Sequence, residues 1–130
     1  LVSGLDAGKI YQTWPLMNES YFPDDATLKN LISLKSFEIP SIVQFIHRNM
    51  AYLIFLLFIV ILIMTFKSKD FFYLRNTTLY ILLALILQIF LGIFTVLSGA
   101  QIVLASMHQI GSIFLISTSL ILVFKNSKIN

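Results

Sequence analysis

The sequence contains no cysteine among its 130 residues. Disulfides, thiolate metal sites, iron–sulfur clusters and cysteine nucleophiles are therefore excluded for these residues. Charge is also scarce, since 12% of the residues are charged and 58% are hydrophobic, against about 25% charged in a typical soluble domain. So few charges cannot cover a water-exposed surface, which excludes a soluble globular domain and an intrinsically disordered chain. The net charge of +3 is too small and too dispersed for a partner such as nucleic acid.

Three long apolar runs dominate what is present. They span residues 42–66, 78–97 and 102–124. Each has roughly 20 to 25 residues, enough to cross a hydrocarbon core of about 30 Å as a helix. Helix is the expected conformation because the backbone must satisfy its own hydrogen bonds in lipid. Pro40 and Ser41 predict the start of the first helix, with Ser41 as its cap, and residues 97–101 predict a tight turn. The fold class is an all-α integral membrane helical bundle with three transmembrane helices.

Basic residues predict the orientation of the bundle. The loop between the first two runs carries three basic residues against one acidic residue, whereas residues 1–40 carry five acidic residues against three lysines. By the positive-inside rule we expect that loop and the C-terminus to be cytoplasmic, and residues 1–40 to be periplasmic, at the inner membrane. Residues 1–40 then form an outer loop that starts with the end of a preceding helix at residues 1–5. Within residues 27–37, Leu28, Leu31, Ile32 and Lys35 recur at helical spacing and predict a short interfacial helix.

The two histidines both lie within predicted spans. His47 is about six residues into the first run and His108 about seven into the third, and both runs start on the outer side. The imidazoles are therefore expected at nearly one depth in the outer third of the membrane. A single histidine there is more often a packing residue, but two at matched depth indicate a shared ligand. Zinc would need a third protein ligand, which that depth lacks. The two axial positions of a haem iron suit the pair.

Small residues lie near both histidines. They are Ala51, Ala105, Gly111 and Ser112. They leave room for a porphyrin face, although close helix packing also uses small residues. Arg48 either snorkels to lipid headgroups or pairs with a haem propionate. Gln44 and Gln109 either bond across helices or lie at the cofactor, whereas Gln88 and Gly92 are expected to be packing features.

An ordered set of segments resembles the heme A synthase family. The segments are LDAGKIYQTWPLM at 5–17, VQFIHR at 43–48 and HQ at 108–109. Members of that family oxidise a ring methyl of heme O to a formyl group, giving heme A for cytochrome oxidase. They consist of two similar four-helix halves, each with a histidine pair. The resemblance is to the C-terminal half, and it implies that His47 and His108 hold a b-type haem, with Trp14 against its ring.

The resemblance also implies what these residues do not supply. By this resemblance, the substrate heme O binds in the N-terminal half, which also carries a glutamate where this chain has Gln44. We therefore expect a residue range 41–130 that forms a haem-binding membrane domain, no catalytic residue in this chain, and little activity without the missing half. A homo-oligomer would add histidines but no carboxylate. The alternatives are a bis-histidine b-type cytochrome subunit for electron transfer and a membrane assembly subunit without a cofactor.

Overall fold

Three long helices form most of the structure. The computed structural model describes residues 2–127, in which a short helix α1 (Leu28–Ile32) precedes α2 (Pro40–Lys67), α3 (Arg75–Leu97) and α4 (Ile102–Ser127). The most apolar 18-residue windows of the three long helices have mean hydropathies of 2.5, 2.6 and 1.7 in chain order, so each helix is long and apolar enough to cross a membrane. The predicted all-α membrane bundle is confirmed. Leu1, which belongs to the predicted end of a preceding helix, and residues 128–130, which belong to the predicted haem-binding domain, lie outside the described residues.

The start of α2 differs from the prediction. Pro40 is its first residue, where the ring presets a helical φ and the missing N–H would have had no partner within the helix. The N-cap is Ile39, and no side chain caps the helix, so the capping role expected of Ser41 is wrong. The Ser41 hydroxyl is buried and has no hydrogen-bond partner within residues 2–127.

Arg75 fastens the loop between α2 and α3 to the end of α2. Its guanidinium donates hydrogen bonds to the carbonyl oxygens of Phe66 at 2.9 Å and Thr65 at 3.5 Å. Carbonyls in the last turn of a helix have few partners within it, and a cation there also complements the helix dipole. The cation lies 5.3 Å from the ring centroid of Phe66 and 5.0 Å from that of Phe72. Arg75 therefore stabilises the turn between α2 and α3.

A tight turn makes α3 and α4 antiparallel neighbours, as the sequence predicts. Gly99 and Ala100 adopt positive φ angles of 69° and 59°. The Ala100 amide donates to the Thr95 carbonyl at 2.8 Å and so satisfies one of the free carbonyls at the end of α3. The contact between α3 and α4 is the most extensive in the fold, and α2 packs on α3 over a smaller surface.

The buried interior of the bundle is small. Phe58, Ile81 and Leu85 are buried, and Leu115 and Leu122 pack against them, so all three long helices meet in one cluster. Most other large apolar side chains are exposed, and no residue of α4 is buried. An apolar exterior of this kind suits a bundle that is surrounded by lipid instead of water.

The outer segment, residues 2–39, packs on the ends of the long helices. Ala7 and Met17 are almost completely buried in it. Gln12 lies against the turn between α3 and α4, since a Cβ atom on Gly99 would sit 3.1 Å from the Gln12 side-chain amide. The segment therefore caps the bundle on the side where α2 and α4 begin.

The interfacial helix is shorter than its apolar spacing suggests. α1 ends at Ile32, and a 3-10 turn at Leu34–Glu38 follows after a break at Ser33. Thr27 caps α1 by accepting a hydrogen bond from the Asn30 amide at 3.3 Å. Ile32 and Leu34 are 87% and 90% exposed. These bare apolar side chains beside the helix ends suit a segment that lies at a membrane surface.

Candidate functional site

The structure brings the two histidines together. His47 lies in the second turn of α2 and His108 in the second turn of α4, and both helices begin beneath the outer segment. The centroids of the two imidazole rings are 6.3 Å apart, and the ring planes are inclined at 83°. Two polar rings from helices that run in the same direction thus face each other within the bundle.

The two imidazoles differ in their hydrogen bonding to the rest of the protein. His47 is exposed as a residue, and its ring contacts that of His108 but has no hydrogen-bond partner in the described part of the chain, so its nitrogens are bare. The His108 ring is half-buried and contacts α3, where the Gln88 amide nitrogen lies 3.0 Å from its Nδ1 and 2.6 Å from its backbone carbonyl oxygen. An unpartnered imidazole in an apolar helix is unfavourable, so a ligand for His47 would remove a real energetic penalty.

The spacing of the rings fits a single metal ion between them. Two metal–imidazole bonds of about 2 Å, with about 1 Å from each nitrogen to its ring centre, span about 6 Å. The inclination of 83° is compatible with this arrangement because two axial imidazoles can rotate about their common axis. An edge-to-face aromatic pair has similar spacing, so the distance alone does not decide between the two. The bare His47 nitrogens favour a ligand over simple packing.

The donor set fits a haem iron better than an ion held by protein alone. Among residues 2–127 no group of three or more histidine, cysteine, aspartate or glutamate side chains could enclose a metal ion. Structural and catalytic zinc sites take at least three protein ligands. A haem iron takes four ligands from its porphyrin and needs only two axial ligands, which His47 and His108 can provide.

Gln44 fixes the outer segment to α2. It is 2% exposed, accepts a hydrogen bond from the Tyr11 amide at 3.2 Å and donates one to the Tyr11 carbonyl at 2.9 Å. This two-point contact joins residues that are 33 positions apart. In the structure Gln44 therefore bonds across segments, one of the two roles that its position allows.

Arg48 contributes to the same contact. Its guanidinium donates to the Tyr11 carbonyl at 3.1 Å and to the Leu16 carbonyl at 3.2 Å. Its buried Nε has no partner in the described range. Arg48 thus points into the outer segment instead of snorkelling away from it, and it retains N–H groups for an anion.

Tyr11 is the point on the outer segment that these side chains hold. It is 5% exposed, and its hydroxyl donates to Asp25 at 2.8 Å and accepts from the Asp24 amide at 3.1 Å. Burial, followed by the hydrogen bond and negative charge of Asp25, raises the pKa of the Tyr11 phenol above its ordinary value. Tyr11 is therefore a buried support of the segment.

The other two site residues lie at the edges of this region. Trp14 is 43% exposed, and its indole N–H donates to the Tyr52 hydroxyl on α2 at 3.2 Å. Gln109 is exposed on α4, and its backbone carbonyl accepts a hydrogen bond from Ser112 at 2.7 Å. Trp14 thus bonds to α2, the helix that carries His47. Gln109 follows His108 in sequence but makes no hydrogen bond to either histidine among the described residues.

Comparison with known proteins assigns the family. Residues 1–120 match the sequence profile described as cytochrome oxidase assembly protein, COX15-CtaA. The chain belongs to this family. The match includes the outer segment as well as both histidines, so it covers the whole candidate site.

Individual relatives agree with the family match. The chain is 45% identical over 127 residues to the heme A synthase of Pelagibacter ubique and 38% identical over 117 residues to that of Rickettsia rickettsii. These alignments cover 97% and 90% of this chain but only 37% and 34% of the relatives. The chain thus spans about a third of the length of these relatives. No solved structure matches it significantly.

The contacts of α3 with the histidine pair were not predicted from the sequence. Gln88 and Gly92 were expected to be packing residues, but both contact the His108 imidazole: a Cβ atom on Gly92 would sit 3.0 Å from its Cε1. Gly111 makes room for the Gln88 side chain, so its small size serves helix contact here. The signal that would have revealed this is a glutamine within an otherwise apolar span, since such a residue needs a partner.

Proposed function

We propose that this chain is the part of a heme A synthase that holds a b-type haem in the membrane, with His47 and His108 as its axial ligands. The observation that carries the proposal is the bare His47 imidazole facing the supported His108 imidazole at 6.3 Å. The family match and the relatives named heme A synthase support the choice of enzyme. The haem, when bound, would supply one-electron chemistry during oxidation of the heme O methyl group to a formyl group.

The protein's own contribution is to hold and orient this cofactor. Arg48 is placed to pair with a propionate through the N–H groups that Tyr11 and Leu16 leave free. Gln44 supports Arg48 by fixing the same loop. We assign Trp14 to the outer edge of the cofactor and Gln109 to its periphery, in each case as lining residues.

We do not expect residues 1–130 to catalyse the oxidation by themselves. The three long helices contain no aspartate or glutamate, and both histidines are used as cofactor ligands. General acid–base chemistry and a second haem site must then come from elsewhere, which we assign to the half of the enzyme that binds heme O. The natural partners are therefore heme O, that N-terminal half, membrane lipid, and a further copy of the chain if the enzyme is a homo-oligomer.

The distribution of charge supports an orientation. We assign the loop at residues 67–75, which carries three basic residues against one acidic residue, and the C-terminus to the cytoplasm, and the outer segment to the periplasmic side of the inner membrane. Residues 1–40 then form the outer loop and residues 41–130 the haem-binding domain. In this orientation the histidine pair lies in the outer half of the bilayer, directly beneath the outer segment.

The second candidate function is a bis-histidine electron-transfer subunit, which would need the same pair of histidines. The match of residues 1–120, which includes the outer segment, favours the synthase. Membranes that contain the chain together with the N-terminal half of a relative should convert added heme O to heme A, as measured by chromatography. A stable b-type spectrum without any heme A would favour the electron-transfer subunit. A purified chain without Soret absorbance would favour an assembly subunit without a cofactor.

A further inference from the structure

We propose that Gln88 is the positioning residue of His108, setting both the orientation of its imidazole and the nitrogen that carries the ring proton. Gly92, one helical turn later on α3, provides the clearance that this orientation needs. The consequence for haem binding rests on the proposed function, whereas the consequence for the ring proton concerns the chain by itself.

The backbone carbonyl of His108 determines which way the Gln88 amide faces. The atom 2.6 Å from that carbonyl oxygen must be the amide nitrogen, because a carbonyl oxygen accepts hydrogen bonds and a second oxygen would be repelled. Gln88 is 8% exposed, so water does not offer an easy alternative partner. The orientation of this amide is therefore set by chemistry as well as by shape.

The amide in turn determines the tautomer of His108. The same nitrogen lies 3.0 Å from Nδ1, and an NH₂ group can only donate. Nδ1 must then be the unprotonated acceptor of a neutral imidazole, which leaves the ring proton on Nε2. Gln88 thus binds two atoms of one residue and prevents rotation of the ring.

The surroundings of Gln88 hold it in place. Its Oε1 is buried without a partner in the described part of the chain and lies against Gly111, where no side chain would fit. A buried acceptor without a donor is unfavourable, so close packing alone would favour an apolar residue here. Ligation through Nε2 would need the ring proton on Nδ1 instead. Oε1 would accept a hydrogen bond from that Nδ1–H only if the amide turned over and gave up its bond to the His108 carbonyl. The haem-free and haem-bound forms therefore need opposite orientations of the Gln88 amide.

Gly92 determines how closely the ring approaches α3. A Cβ atom at this position would lie 3.0 Å from Cε1 of His108 and 3.5 Å from its Nδ1. Gly92→Ala would therefore displace the imidazole by a few tenths of an ångström without removing the Gln88 hydrogen bonds. This substitution separates ring position from hydrogen bonding.

The first test uses the chain in detergent without haem, labelled with nitrogen-15 histidine. Only two histidines contribute signals, and His47→Ala identifies those of His108. We expect the Nε2–H tautomer in the unmodified chain, and a mixture of tautomers in Gln88→Met, which preserves side-chain size but removes both hydrogen bonds. Leu87→Met is the matched control, since Leu87 is 60% exposed on another face of α3. An identical His108 tautomer in the unmodified chain and in Gln88→Met would overturn the proposal.

The second test measures haem retention and the reduction potential of the loaded chain. Partners that orient a metal-binding histidine typically change affinity by about 10- to 100-fold, so Gln88→Met should change haem affinity by a factor in that range relative to Leu87→Met. Gly92→Ala should shift the potential while keeping the tautomer. Equal affinities in Gln88→Met and Leu87→Met would overturn the positioning role. Failure of the unmodified chain to bind haem would instead overturn the proposed function, and the tautomer test would still decide the role of Gln88.

Discussion

Replacing Gln44 by leucine should release the outer segment from α2. The side chain makes two hydrogen bonds to the Tyr11 backbone and is almost fully buried. In Gln44→Leu the Tyr11 carbonyl keeps its bond to Arg48, but the Tyr11 amide loses its partner. The lost bond to the Tyr11 carbonyl is worth about 1 kcal/mol, and the unsatisfied buried N–H of Tyr11 costs about 1–3 kcal/mol, which together give a loss of about 3 kcal/mol.

Amide hydrogen exchange measures this loss directly. A change of about 3 kcal/mol corresponds to roughly a 100-fold shift in the opening equilibrium, so the Tyr11 amide should exchange about 100-fold faster in Gln44→Leu. Amides in the middle of α3 should keep their protection, because the segment does not support them. Gln109→Leu removes an exposed glutamine of the same size and should leave Tyr11 unaffected. Unchanged exchange at Tyr11 in Gln44→Leu would refute the view that Gln44 holds the segment.

Three further predictions concern pH, topology and catalysis. Because the pKa of the Tyr11 phenol is raised, the phenol stabilises the outer segment fully below its ordinary pKa of 10.0, and this stabilisation is lost as the pH rises through the higher pKa of the folded state. Tyr11→Phe should abolish this loss of stability at high pH, as followed by Trp14 fluorescence, and an unchanged pH profile in the variant would contradict the prediction. A reporter active only in the cytoplasm should work when fused after Asn130 and fail when inserted near Ser20, and the reverse pattern would overturn the orientation. Cells supplied with heme O and containing only residues 1–130 should form no heme A, and clear product would mean that a catalytic group was missed.

The membrane architecture follows from the sequence because its causes are local. Span length, apolar composition and the charge of the connecting loops are properties of contiguous residues, and so is the tight turn at Gly99. The helix ends were predicted less well because they depend on contacts between segments. Arg75 is the first residue of α3 instead of a loop residue, and its guanidinium binds the carbonyls of Thr65 and Phe66 at the end of α2.

The hydrogen bonds around the candidate site were harder to predict because they join residues that are far apart in the sequence. Gln44 meets Tyr11 across 33 positions and Gln88 meets His108 across 20, and neither pairing has a periodic signal. The sequence did indicate that His47 and His108 share a depth, since both lie in the second turn of helices that start on the same side. It did not indicate that, among residues 2–127, His108 has a hydrogen-bond partner for its ring whereas His47 has none. That asymmetry arises from the packing of α4 on α3.

The most direct test of the shared haem site is the absorption spectrum of the purified chain and of its two histidine variants. The unmodified chain should show the low-spin spectrum of a bis-histidine haem. His47→Ala and His108→Ala should each abolish that spectrum, because loss of one axial ligand leaves five-coordinate iron or admits a foreign ligand, and either alters the Soret band. Leu87→Ala, a change on the exposed side of α3, should retain it. An unaltered bis-histidine spectrum in either histidine variant would contradict the assignment of His47 and His108 to one iron.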